Sequence, residues 1–264
     1  MKSVLNPLIE TMATNAFGVD QYADVFEKVA FAQRSRATLR GIFRRRLSED
    51  IEQAKLLFIH VPKNGGTSVK RALYQSDPGH ASVRYYDLFF PEWFAGLPRL
   101  AILRDPVDRF LSGLDFLRAG GGGDVRIQAR PLRKLSHIAD ADSLLDHLEH
   151  VAEGGDWLAA DTFLRPQIWY VTDAGGLIRV NHLWLLEKAN RGLSDFLKDW
   201  GVPHLPHANR TRRRAESLSE AQIARLRRIY ASDFALYETV KREGGYSCTL
   251  DGVPAEMLEA VAVR

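Results

Sequence analysis

The stretch LLFIHVPKNGGTSVKRALY, residues 56–74, decides the architecture. Its first part, Leu56 to Val61, is apolar except for His60 and too short for a helix, so it reads as a buried strand. Pro62 and the pair Gly65-Gly66 turn it into a loop. Beyond the loop, Val69, Ala72 and Leu73 fall on one side of a helix expected from Thr67 to Tyr74. Strand, glycine loop and helix in that order place a loop at the carboxyl end of a strand, where backbone amides and a positive helix end can meet an anion.

A second unit of the same kind follows. Leu100-Ala101-Ile102-Leu103 is a short apolar run ending at Arg104-Asp105-Pro106, and Val107, Phe110, Leu111 and Leu114 continue at helical spacing. Asp105 suits an N-cap and Pro106 the first helical position. Two such units argue for an α/β domain whose central parallel sheet is flanked by crossover helices, P-loop-like in layout. Further out, helices are expected at about 140–152 and 189–200, strands at 168–172 and 178–186, and one long helix from Ser219 to about Arg242. Ser219 and Gln222 form a capping box at the start of that last helix. Upstream, Tyr22, Val25, Phe26, Val29 and Ala30 mark an amphipathic helix within an N-terminal helical extension. The expected division is an extension over 1–50, a main domain over 51–245 and a C-terminal tail over 246–264.

With 45% hydrophobic and 26% charged residues, the 264-residue chain has ordinary globular composition, which excludes a disordered or fibrous class. The net charge of +3 hides two arginine clusters, Arg34 to Arg46 and Arg210 to Arg214, which suit an anionic ligand or partner. The first cluster suits either a solvated face or peripheral contact with an anionic membrane, although packing of the preceding helix on the main domain is the favoured reading. Neither cluster has the aromatic interleaving or helix motif of a nucleic-acid binder, so no nucleic-acid partner is expected. Cys248 is the single cysteine and cannot form an intrachain disulfide. The polar residues Asn6 and Glu10 interrupt the apolar start, which argues against a signal peptide or anchor and for a cytoplasmic protein. Oligomeric state has no signature in the sequence.

Within residues 62–68 the lysine precedes the glycines, unlike the Walker A order. Gly65 and Gly66 would let the backbone approach a phosphate, and Thr67 and Ser68 would add hydroxyl donors. Lys63 at the start of the loop can reach the bridging oxygen between a phosphate and the group it surrenders. With Lys63 and the amides neutralising charge there, no metal is required. Arg104, at the end of the second strand, would make charge-assisted bonds to a phosphate. Ser112, with Asp108 and Arg109, flanks the apolar stripe of the following helix.

The pair FIHVPKNGGTSV (58–69) and LRDPVDRFLSGLDFLR (103–118) closely resembles the 5′-phosphosulfate and 3′-phosphate motifs of the family-2 sulfotransferases, the group related to carbohydrate sulfotransferases such as heparan sulfate 2-O-sulfotransferase. FLRPQ (163–167), VNHLWLLEKANRGLSDFLKDWGVP (180–203), HANRT (207–211) and IYASDFALYE (229–238) look like later blocks of that family, so the likeness spans about residues 55–240. The resemblance implies 3′-phosphoadenosine 5′-phosphosulfate (PAPS) as co-substrate. Lys63, Asn64, Gly65, Gly66, Thr67 and Ser68 would hold its 5′-phosphosulfate, Arg104 and Ser112 its 3′-phosphate, and the segment with Thr211 and Arg214 would close over the nucleotide. One departure is Asn64, where the family usually has threonine; an amide can also bind a phosphate oxygen.

Transfer to a hydroxyl needs a proton acceptor, and histidine suits neutral pH. Relatives of the 2-O-sulfotransferase kind carry a catalytic histidine in a Gly-His pair between the two nucleotide motifs, and Gly79-His80 occupies that interval. His80 is therefore the expected base, with Asp87 next. His60 reads as a core residue, His182 and His207 as structural or nucleotide-facing, and His137, His147 and His150 as surface residues. The stretch Gly120-Gly121-Gly122-Gly123 is expected to hold little regular structure and to begin a mobile loop. The acceptor, a glycan or small molecule, is expected in a pocket lined by that glycine-rich loop, by the basic segment from Arg126 to Lys134 and by Tyr85, Tyr86, Phe89, Phe90 and Trp93. Two other readings compete: an ATP-dependent kinase, which the loop order disfavours, and a noncatalytic nucleotide-binding module, which the presence of Lys63 disfavours.

Overall fold

A computed structural model describes residues 7–19, 21–32, 50–74, 79–122, 125–126, 135, 138–203, 217–244 and 247–258. In chain order its elements are α1 (Pro7–Phe17), α2 (Tyr22–Phe31), α3 (Asp50–Ala54), β1 (Leu57–Ile59), α4 (Gly66–Leu73), α5 (Val83–Phe89), α6 (Pro91–Gly96), β2 (Arg99–Leu103) and α7 (Pro106–Arg118). There follow β3 (Gly121–Gly122), β4 (Val125–Arg126), α8 (Ala141–Gly154), α9 (Gln167–Val171), β5 (His182–Leu185), α10 (Ala189–Lys198), α11 (Glu220–Ile229), α12 (Ala231–Gly244) and β6 (Ser247–Cys248). Short 3-10 turns at Trp157–Ala159, Thr162–Leu164 and Leu186–Lys188 complete the described connections.

The central sheet runs β1-β2-β5-β6. Its first three strands are parallel, with Phe58 opposite Leu100 and Ala101 opposite Leu183. β6 closes the edge antiparallel to β5. Every residue of β1 and β2 is buried, as expected where helices cover both faces of a parallel sheet. A second core forms beside the sheet, where Phe110, Leu111 and Leu114 of α7 meet Leu144, Leu145 and Leu148 of α8 and Leu226 of α11. The sheet is mixed through its fourth strand, and the parallel crossover arrangement expected from the two strand-loop-helix units is present.

The helix expected around Tyr22 to Ala30 is α2, and it is built into the main core. Phe26, Val29 and Ala30 pack there with Tyr85 and Phe89 of α5. Two acids on its inward face have partners far along the chain: Asp24 forms a bidentate pair with Arg165, both contacts 2.8 Å, and Glu27 reaches Ser82. The C-terminal segment is likewise tied in, since Asp251 pairs with Arg99 at 2.9 Å and Leu250 and Leu258 are buried.

Four expectations require correction. Residues 168–172 are not a strand but mostly helix α9. Its first N–H groups, on Gln167 and Ile168, donate to the Asp233 carboxylate at 2.7 and 2.9 Å, and Arg84 donates to the carbonyls of Trp169 and Thr172 at its far end. The helix expected from Ser219 onward has its capping box but breaks at Tyr230, whose φ of −111° and ψ of 36° separate α11 from α12. Gly121 and Gly122, expected to hold little regular structure, pair as β3 with β4. Arg109 does not flank the apolar stripe but is buried, donating to the carbonyls of Pro62, Phe163 and Arg165.

Candidate functional site

The carboxyl ends of β1, β2 and β5 lie side by side, and side chains link them in a row. After β1 the chain passes through Lys63, whose φ of 68° is left-handed, and Gly65, whose φ is 70°. These turns reverse the backbone into α4, whose N-terminus lies at the loop. Both glycines also solve a packing problem. A Cβ on Gly66 would lie 2.4 Å from the His60 ring, and one on Gly65 would lie 2.7 Å from the Leu186 side chain.

Arg104 follows β2. Its guanidinium Nη1 donates to the Lys63 carbonyl at 3.2 Å, which brings the two expected cation-bearing positions together. Asp105 caps α7 as expected, accepting from the amides of Val107 and Asp108 at 2.9 and 3.1 Å. The Lys63 ammonium lies 4.0 Å from the centre of the Phe116 ring on α7. Ser112 stands one turn before Phe116 on the same helix, so it occupies the same face. Arg104 is thus tied to the loop backbone, and the Lys63 side chain reaches the face of α7 that carries Ser112. Basic side chains beside a helix N-terminus are groups that can bind an anion.

Asn64 is the exception among the loop residues. Its side chain is buried, and its Nδ2 donates inward to the Ile102 carbonyl and to Gln167 Oε1, each at 2.7 Å. The carbonyl partner fixes the nitrogen in that position, so this amide cannot also donate to a phosphate. Asn64, expected to bind phosphate, instead links the ends of β1 and β2 through its side chain.

Gln167, at the start of α9, was not singled out from the sequence beyond its place in a family-like block. Its Oε1 accepts from Asn64 Nδ2 and from the Arg104 amide at 2.9 Å, while its Nε2 donates to the Arg104 carbonyl at 2.9 Å. Gln167 therefore locks the ends of β1 and β2 together. Glu187 does the same for β2 and β5, accepting from the Asp105 amide at 2.9 Å and from the Tyr237 hydroxyl at 3.3 Å. No short-range pattern marks these residues, because each partner is remote in sequence.

His80 lies next to the loop through one intervening ring. Its imidazole is 4.2 Å, centre to centre, from that of His60, which packs beneath Gly66. His80 Nδ1 is 3.0 Å from the His60 carbonyl. A carbonyl can only accept, so Nδ1 bears the hydrogen of that bond. His60 is the core residue expected. Burial, then the nearby His80 and Lys70, hold its ring well below the usual histidine range, so it stays neutral. His182 sits at the amino end of β5, away from the loop, and burial lowers it as well.

The expected acceptor wall is overturned in part. Tyr85, Tyr86, Phe89 and Phe90 are core residues of α5 and its C-cap, each at most 3% exposed. Trp93 lines a groove with Glu52, Lys55, Leu97, Pro98 and Trp200, and that groove opens at the amino ends of β1 and β2, opposite the loop. The side chain of Arg126, together with Arg130, Arg133, Lys134, Thr211 and Arg214, lies outside the described residues.

A family model described as the sulfotransferase family matches residues 50–238. No curated protein and no solved structure matches the chain. The match takes in both strand-loop-helix units and the Gln167 and Glu187 links between them. The chain belongs to the sulfotransferase family, the family-2 sulfotransferases.

Proposed function

We propose that the protein transfers a sulfuryl group from PAPS to a hydroxyl of a glycan or small-molecule acceptor, in the cytoplasm and without a metal. The observation that supports this reading is the bond from the Arg104 guanidinium to the Lys63 carbonyl, which ties the cation-bearing end of β2 to the loop that leads into α4. A donor with phosphate at both ends matches that spacing in kind. Lys63 and the amides of Gly65 to Ser68 hold the 5′-phosphosulfate; Arg104 and Ser112 take the 3′-phosphate, with Thr211 and Arg214 closing over the nucleotide.

In the reaction, the acceptor oxygen forms a bond to sulfur as the bond from sulfur to the 5′-phosphate oxygen breaks. The hydroxyl proton passes to His80 Nε2, and the electron pair leaves on 3′-phosphoadenosine 5′-phosphate, where Lys63 neutralises the growing charge. Binding and alignment supply most of the acceleration, by analogy with phosphoryl transfer. Calorimetric titration with 3′-phosphoadenosine 5′-phosphate, in chelator, is the test. Tight binding with weak or no response to ATP supports the reading; preference for ATP with magnesium would replace it with a kinase.

A further inference from the structure

Glu27 lies on α2, outside the stretch that matches the family. Its carboxylate takes both donors of a single residue: Oε1 accepts the Ser82 amide at 2.8 Å and Oε2 the Ser82 hydroxyl at 2.7 Å. Glu27 and Ser82 are both buried. The Ser82 oxygen also accepts from the Tyr85 amide at 3.3 Å, which makes it the N-cap of α5.

His80 stands two residues before Ser82, with only the buried Ala81 between them. The segment 79–82 begins at Gly79 with a left-handed φ of 75°. It is pinned at one end by the His80 bond to the His60 carbonyl and at the other by Glu27. The first anchor comes from the end of β1, the second from the N-terminal helix. Burial raises the Glu27 carboxyl above its usual range, a cost that the Ser82 bonds and the charges of Arg84 and Arg165 offset. A packed apolar side chain could hold α2 in place without that cost. What the carboxylate adds is a fixed position for residue 82, and through it for the imidazole two residues away.

We propose that Glu27 is a positioning residue for the His80 base, so that the N-terminal helix is part of the catalytic apparatus. The proposal rests on the reading of His80 as the proton acceptor. A displacement of a catalytic group by about 1 Å costs on the order of a hundredfold in rate, which is the scale of effect at stake.

The experiment uses the full chain with Glu27→Ala, Glu27→Gln, Ser82→Ala and His80→Ala. Three readouts are taken: the imidazole nitrogen NMR signature of His80, calorimetric affinity for 3′-phosphoadenosine 5′-phosphate, and turnover of radiolabelled PAPS over a panel of acceptors. In Glu27→Ala the nucleotide affinity stays within about twofold, while the His80 signal leaves the single Nδ1–H tautomer and turnover falls roughly 10- to 100-fold. Glu27→Gln, which keeps one acceptor oxygen, recovers part of the loss. If Glu27→Ala does not fold, Ser82→Ala, which loses the hydroxyl bond to Oε2 and keeps the amide bond to Oε1, reads a smaller displacement in the same direction. An unmoved His80 signal and undiminished turnover in a folded Glu27→Ala or Ser82→Ala variant, beside an inactive His80→Ala, overturns the positioning role alone. A fully active His80→Ala variant overturns the base, and the role of Glu27 in catalysis with it.

Discussion

The side chains of Asn64 and Gln167 meet amide nitrogen to carbonyl oxygen at 2.7 Å, inside the row of contacts that joins the ends of β1 and β2. The Gln167 oxygen that receives Asn64 also receives the Arg104 amide, so one side chain sets the separation of the two strand ends. Gln167→Ala would strand the buried Asn64 donor and the Arg104 amide. The expected outcome is a loss of about 2–4 kcal/mol in stability by urea denaturation, from unmade buried hydrogen bonds. On the proposed function, affinity for 3′-phosphoadenosine 5′-phosphate should drop about tenfold, because Arg104 and the loop after β1 lose their mutual register.

Arg104→Ala removes a charged donor from the proposed 3′-phosphate site. Loss of a charge-assisted contact of about 1.5–3 kcal/mol corresponds to a Kd for 3′-phosphoadenosine 5′-phosphate raised roughly 10- to 100-fold. Arg104→Lys should restore only part of it, since an ammonium lacks the planar fork. Calorimetry on the three proteins checks both statements.

The pair between Asp24 and Arg165 ties α2 to the turn before α9, with the two side chains 4% and 0% exposed. Asp24→Asn leaves the Arg165 charge buried, and the expected cost is about 3–5 kcal/mol. Arg165→Met should be similarly harmful alone, yet the double variant should lose less than the sum of the two. Denaturant midpoints of the four proteins give the coupling directly.

His60 supplies a dependence on pH. Its folded pKa lies well below the ordinary 6.5, first through burial. Below pH 6.5 the unfolded chain therefore binds a proton that the folded chain refuses, and stability contributed by the neutral ring is lost as pH falls toward the folded value. Glu27 and Asp233, whose carboxyls burial raises, act with the opposite sign as pH falls through their folded values: they bind protons more readily when folded. The thermal midpoint should accordingly decline as pH is lowered from 7 into the region just below 6.5. A folded His60→Gln variant should show a flatter profile there.

Local pattern was enough to locate the loop, the two strands beside it and the Asp105 cap, because each depends on residues within one turn or one strand. It failed at residues 168–172, where Ile168, Trp169, Tyr170 and Val171 suit either a buried strand or a buried helix. The choice is made by Asp233 and Arg84, which serve the two ends of α9 from remote positions. It failed again at Tyr85 to Phe90, since an aromatic cluster has the same composition in a core as in a pocket. The roles of Asn64, Gln167, Glu187 and Glu27 are invisible for the same reason: their meaning is a partner 38 to 103 residues away, or across sheet ends that periodicity does not reveal.

Lys63 occupies a backbone region that a side chain enters at a cost of roughly 1–2 kcal/mol, and which glycine adopts freely. Directed evolution of this protein for heat resistance alone would consequently favour glycine at position 63, discarding the ammonium while raising the melting point. Thermostable variants of this chain should be screened with that codon held constant, so that the ammonium proposed to steady the leaving oxygen is kept.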